Sequence, residues 1–140
     1  MFLTEKNLKD LFWKYYNQKG RAIKHQFECE IREGCSDLVT IEKYQDNFQI
    51  NAFEFKLTDI KKVFLQAEEN MKYVHKSWIV IPIEKKELIL NKYFGYLKEK
   101  KYIGVIGVEE GGRWSIIHQP YFKKDLIMNQ AIVNLMMKGY

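Results

Sequence analysis

Asp37 and the triplet Glu54-Phe55-Lys56 are the residues of this chain best suited to chemistry, and both fall in β-rich runs. Side chains alternate faces along a strand, so Glu54 and Lys56 are expected on one face and Phe53 and Phe55 on the other. Leu38-Val39-Thr40-Ile41 runs on from Asp37, and Tyr44-Gln45-Asp46-Asn47 is a turn candidate before the return strand. A hairpin closed by that turn sets Asp37 alongside Glu54. Two carboxylates and an ammonium then converge at one strand end, an arrangement suited to a divalent cation. The competing reading makes Glu54 and Lys56 an ion pair on an exposed strand, worth roughly 0–1 kcal/mol.

The order of a helical acid, a strand Asp and then Glu-x-Lys resembles the PD-(D/E)XK nuclease superfamily, with Glu5, Asp37 and Glu54-x-Lys56 at the motif positions. Ser36 stands where the motif has proline, and Gln66 matches the Gln or Lys that many members carry on the next helix. The resemblance covers residues 1–83 well and the remainder loosely. It implies an α/β, restriction endonuclease-like fold, a mixed central sheet flanked by helices, and a Mg²⁺-dependent deoxyribonuclease in which Mn²⁺ can substitute. Mg²⁺ takes few protein carboxylates and keeps water. Asp37, Glu54 and the Phe55 carbonyl are the implied metal ligands. Lys56 would orient the attacking water or meet the phosphorane charge, Glu5 would complete the acidic cluster, and Gln66 would join the catalytic set. Within the superfamily the layout looks most like small Holliday junction resolvases. Branched or junction DNA is then one implied substrate, duplex DNA cut by a small restriction or repair nuclease is the other, and a homodimer is implied because two strands are cut. The rival reading is a non-catalytic module of the same fold that binds DNA or a protein partner.

The elements that must position these groups follow from periodicity. Thr4 caps a helix over 4–18, with Leu8, Leu11, Phe12 and Tyr15 expected inward. Glu5 shares that side, although the helix dipole alone explains an acid in a first turn. Strands are expected over 22–31, 35–43 and 48–57. Glu28 and Glu30 are expected on a solvated face, with either able to replace Glu5 in the cluster. Thr58 or Asp59 caps a helix to about Lys76, with a polar flank of Asp59, Lys62, Gln66, Asn70 and Tyr73. Gln66 is the functional candidate of that flank, while Lys62 and Asn70 are expected to be solvated. Trp78-Ile79-Val80-Ile81-Pro82 suits a central strand covered on both faces and parallel to its predecessor. A helix over 84–100 should turn Leu88, Ile89, Tyr93, Phe94 and Leu97 inward. A hairpin of 102–108 with 114–117 follows, and the Met-rich stretch 122–137 is expected to be an amphipathic helix and the dimer contact.

Length and composition bound the rest. One domain over 1–140 is expected, since 140 residues suffice for one core and not for two. The chain is 46% hydrophobic and 29% charged, which excludes a disordered polymer. Its 23 basic and 18 acidic residues give +5, compatible with a nucleic-acid partner. No apolar run is long enough for a bilayer span and the first residues lack signal-peptide character, so a cytoplasmic protein is expected. Cys29 and Cys35 are then reduced thiols, and His25, His75 and His118 show no metal-ligand spacing.

Overall fold

The computed structural model describes residues 2–138; Met1, Gly139 and Tyr140 lie outside the described residues. The chain opens with α1 (Glu5–Tyr16), followed by β1 (Ala22–Cys29), β2 (Ser36–Tyr44) and β3 (Asn47–Phe55). Next come α2 (Ile60–Asn70), β4 (Lys76–Pro82), α3 (Lys86–Lys92) and α4 (Phe94–Glu99). The chain then adds β5 (Ile103–Val108), β6 (Trp114–His118) and α5 (Gln130–Met137). The fold is α/β, a six-stranded mixed sheet flanked by helices, and its spatial order β1-β2-β3-β4-β5-β6 repeats the order of the sequence. β1, β2 and β3 are antiparallel, β3, β4 and β5 run parallel, and β6 returns antiparallel.

Capping fixes where α1 begins: the Thr4 hydroxyl accepts from the Asn7 amide at 3.0 Å. Leu8, Phe12 and Tyr16, spaced by four, are its buried stripe, and they pack on Leu38, Phe53, Phe55, Trp78 and Val80. Leu11 and Tyr15, expected inward, are only half-buried. Gly112 (φ +99°) lets the Tyr15 ring lie where any Cβ would stand only 2.2 Å away, seating α1 against the β5–β6 turn. The opposite face carries α2, α3 and α4 over Ile79, Ile81, Ile103 and Val105, with α5 beside them over Cys29, Val39 and Ile41. β4 is therefore buried on both sides and parallel to β3, as its unbroken apolar run predicts.

Two helical expectations in the C-terminal half are corrected. The stretch 84–100 is not one helix: it breaks at Tyr93, two residues before the poor helix former Gly95 in the first turn of α4. The break leaves Phe94 53% exposed while Leu97 stays buried, so the single inward stripe is lost. The stretch 122–137 is helical only from Gln130, where the Asn129 side chain accepts from the amides of Ala131 and Ile132. Upstream, the Tyr121, Lys123 and Ile127 amides donate to the carbonyls of Lys101, His75 and Lys72, which ties that segment down as extended chain. Ile132 and Leu135 bury themselves in their own chain, so the apolar side of α5 is largely used internally. Among the described residues no helix is long and apolar enough to cross a membrane.

Candidate active site

The β2–β3 register decides whether the two acids meet. Tyr44 pairs with Asn47 around the two-residue turn Gln45-Asp46, and Leu38 pairs with Phe53. The next step outward sets Asp37 opposite Glu54, as expected from the hairpin. The contact is direct on both sides. The Phe55 amide donates to Asp37 Oδ2 at 2.9 Å, and the Asp37 amide lies 3.4 Å from Glu54 Oε2.

Glu54 is 1% exposed and points toward α2. Its Oε2 accepts from Asn70 Nδ2 at 2.8 Å and from the Arg32 guanidinium at 3.0 Å. Arg32 in turn donates through Nε to Asn70 Oδ1 at 2.7 Å, closing a three-residue clamp. Oε1 of Glu54 is buried with no hydrogen-bond partner. Burial, and then the charge of Asp37, push the Glu54 carboxyl up to about 7, against the opposing pull of Asn70 and Arg32. An exposed Glu54–Lys56 ion pair is thereby overturned, since Glu54 is buried and paired with Arg32.

Lys56 follows the last residue of β3, and its amide donates to the Val80 carbonyl at 3.1 Å. Its ammonium reaches Glu5 on α1 at 3.5 Å, across the sheet from the α2 side that Glu54 faces. Strict alternation predicts Glu54 and Lys56 on one face, and it fails because the strand ends at Phe55. A cleft of about 190 Å³ opens here, lined by Glu5, Lys6, Lys9, Glu28, Asp37 and Phe55. Glu28 has φ 49°, a left-handed conformation that breaks the alternation of β1 and lets it line the same cleft as Asp37. Glu28 is exposed, as expected, and of the two acids able to replace Glu5 it is the one that lines the cleft, while Glu30 is exposed and does not.

Gln66 is half-buried one turn before Asn70 and takes no part in the clamp. Asn70, expected to be solvated, is fully buried and holds Glu54 instead. Arg32 is the second residue that sequence reasoning missed. It lies in the turn after β1, and only the presence of a buried unpaired acid at position 54 would have signalled a need for it. Among the described residues no three Asp, Glu, His or Cys side chains group closely enough to hold a metal ion by themselves. Asp37 and Glu54 nevertheless adjoin, and Oε1 of Glu54 is buried without a hydrogen-bond partner.

A second buried carboxylate, Glu42, lies on the α1 side of the sheet. It is 7% exposed. The Tyr16 hydroxyl donates to it at 2.8 Å and the Thr40 hydroxyl at 2.7 Å. Burial, reinforced by Glu42, holds the Tyr16 phenol above its usual range. His75 fills a packing role: the Ile50 amide donates to its Nδ1 at 2.8 Å and Phe122 stacks on the ring, whereas His25 is exposed with its ring centroid 4.5 Å from that of Trp13. Both thiols are free, with Cys29 buried. Comparison with family models, curated proteins and solved structures finds no match to this chain.

Proposed function

We propose that this chain is a metal-dependent endonuclease of the restriction endonuclease-like type, hydrolysing phosphodiester bonds in DNA, with branched or junction DNA as the preferred substrate. The observation that carries the reading is the register pairing of Asp37 with Glu54, one of whose oxygens is buried without a partner. An unsatisfied buried oxygen beside a second carboxylate costs stability unless a cation or a proton meets it. Asp37, Glu54 and the Phe55 carbonyl would hold Mg²⁺, or Mn²⁺ in its place. When bound, the cation would polarise the phosphate and acidify a water. The Asn70–Arg32 clamp holds Glu54 in one orientation, so Oε1 is the oxygen left to act. Lys56, 17% exposed at its side chain and tied to Glu5, would meet charge that develops on the phosphorane. Lys6 and Lys9 on the cleft wall would take the flanking phosphates. Glu5 acts through Lys56 in this arrangement, and Gln66 would act only on substrate reaching past Asn70. Two such sites, one per protomer of a homodimer, would cut the two strands. The protein would work in the cytoplasm with both thiols reduced.

The rival is a DNA- or protein-binding module. It is favoured by the Arg32 guanidinium that already neutralises Glu54 and by the lack, among the described residues, of a third acid in the group. One assay separates the two: cleavage of branched, duplex and single-stranded DNA with Mg²⁺ or Mn²⁺. Binding without cutting under either ion by the wild type hands the case to the module.

A further inference from the structure

Glu5, Lys9 and Trp13 recur every four residues and so lie along one flank of α1. That flank begins in the acidic cleft with Glu5 and Lys9 and ends at Trp13. Across from it, His25 and Phe27 of β1 pair with Thr40 and Leu38, which sets them on the face that α1 covers. The Trp13 ring lies 4.5 Å from His25 and 5.6 Å from Phe27, centroid to centroid. The Lys9 ammonium sits over the Phe27 ring at 5.3 Å. Phe27 directly precedes Glu28, which lines the cleft. A continuous track therefore runs from Asp37 and Glu28 past Lys9 onto three aromatic rings. His25, at the far end, is exposed, and Trp13 and Phe27 are half-buried.

Trp13 and Phe27 pack one side against the core under α1 and leave the rest uncovered at the edge strand β1, where His25 is exposed. Flat π-faces beside an ammonium suit one ligand chemistry, unpaired bases strung on a phosphate backbone. Each base stacks on a ring while the cation meets a phosphate. Paired bases hide their faces in the stack and gain nothing from such a track. We propose that the Trp13–His25–Phe27 track, with Lys9, binds an unpaired segment of DNA and leads it into the cleft lined by Asp37 and Glu28. The proposal rests on the nuclease reading and names its substrate class: DNA with a single-stranded arm next to the scissile bond.

The test measures binding separately from cleavage. A fluorescent oligothymidylate of about 15 nucleotides and a blunt duplex of equal length are titrated with the full chain in EDTA at fixed salt, by anisotropy. Single strands should bind more tightly than duplex. Trp13→Ala and His25→Ala should each weaken single-strand binding about tenfold, within the range of one lost base stack, and leave duplex binding unchanged. Trp13→Phe should retain most of the affinity. Lys9→Ala should lower the dependence on salt by about one phosphate contact. Should Trp13→Ala unfold, His25→Ala and Trp13→Phe still decide. Equal affinity for both DNAs, or single-strand binding indifferent to Trp13 and His25, overturns the track even if duplex is cut. Aromatic-dependent binding by a protein that cuts nothing keeps the track and removes the nuclease.

Discussion

Two buried carboxylates of this molecule, Glu42 and Glu54, solve the same problem differently. Glu42 faces α1 among hydroxyls: Tyr16 and Thr40 both donate to it, and the group is finished. Glu54 faces α2, and all its partners crowd onto Oε2, while Oε1 has none and Asp37 stands alongside. A carboxylate placed for structure gathers donors until it is satisfied. One that is clamped on a single oxygen beside a second acid is set up to receive something else. The contrast separates an acid whose hydrogen bonds are complete from one whose hydrogen bonds are not.

The comparison breaks most sharply at the chemistry. Asp37→Asn should reduce Mg²⁺-dependent DNA cleavage by roughly a thousandfold or more, of the order of 4 kcal/mol in barrier, with circular dichroism and DNA binding unchanged. Glu42→Gln should leave the cleavage rate within a few-fold. A near-wild-type rate in Asp37→Asn would remove that residue from the mechanism.

Next in size is the clamp. Arg32→Ala strands Glu54 in the interior and should cost on the order of 3 kcal/mol in urea denaturation. Proton uptake by Glu54 limits the loss, so the cost should be smaller at pH 5 than at pH 8.

The acidity of Glu54 gives the third contrast. In metal-free buffer the folded chain keeps this proton to about pH 7, whereas an unfolded carboxyl loses it near 4.5. Between those values the folded state binds more protons, so this group's stabilising contribution is full below 4.5 and lost as pH rises through 7. Glu54→Gln lacks that slope. Its stability relative to wild type should therefore improve between pH 4.5 and 8, by at most about 3 kcal/mol. A stability difference flat across that window would contradict the raised carboxyl.

Smaller effects sharpen the distinction. Tyr16→Phe removes a donor from Glu42 and should cost about 1–3 kcal/mol with no change in cleavage. Millimolar Mn²⁺ should raise the melting temperature of wild type and Tyr16→Phe by a few degrees, and that of Glu54→Gln by less. Equal shifts in all three proteins would place the ion elsewhere.

The meeting of Asp37 with Glu54 was legible because a two-residue turn at Gln45-Asp46 fixes strand register, and register fixes neighbours. The central placement of β4 was legible from an apolar run without alternation. The clamp was not. A helical wheel sets Gln66 and Asn70 on the same flank but does not say which reaches the sheet, and α2 ends at Asn70, short of the expected Lys76. Arg32 belongs to a turn, where no periodicity reports direction. Lys56 was misplaced for a related reason: alternation holds only while a strand lasts, and β3 stops one residue earlier. The C-terminal stretch reads as helix from its apolar content, yet its amides are claimed by Lys101, His75 and Lys72, far back in the chain.

The agreement between strand order and sequence order bears on how the protein is made. Each strand pairs with the one synthesised just before it, so no partner is left waiting for a distant segment. Every group of the candidate site lies between Glu5 and Asn70, ahead of the last three strands and the last three helices. On a ribosome the acidic cleft would take shape once β4 emerges to shield β3, before the C-terminal half exists. Force measurements on stalled nascent chains should record their first pull at that length; a first pull only after β6 would show that the site waits for the whole sheet. The candidate site comes first along this chain, and the later strands and helices close over it.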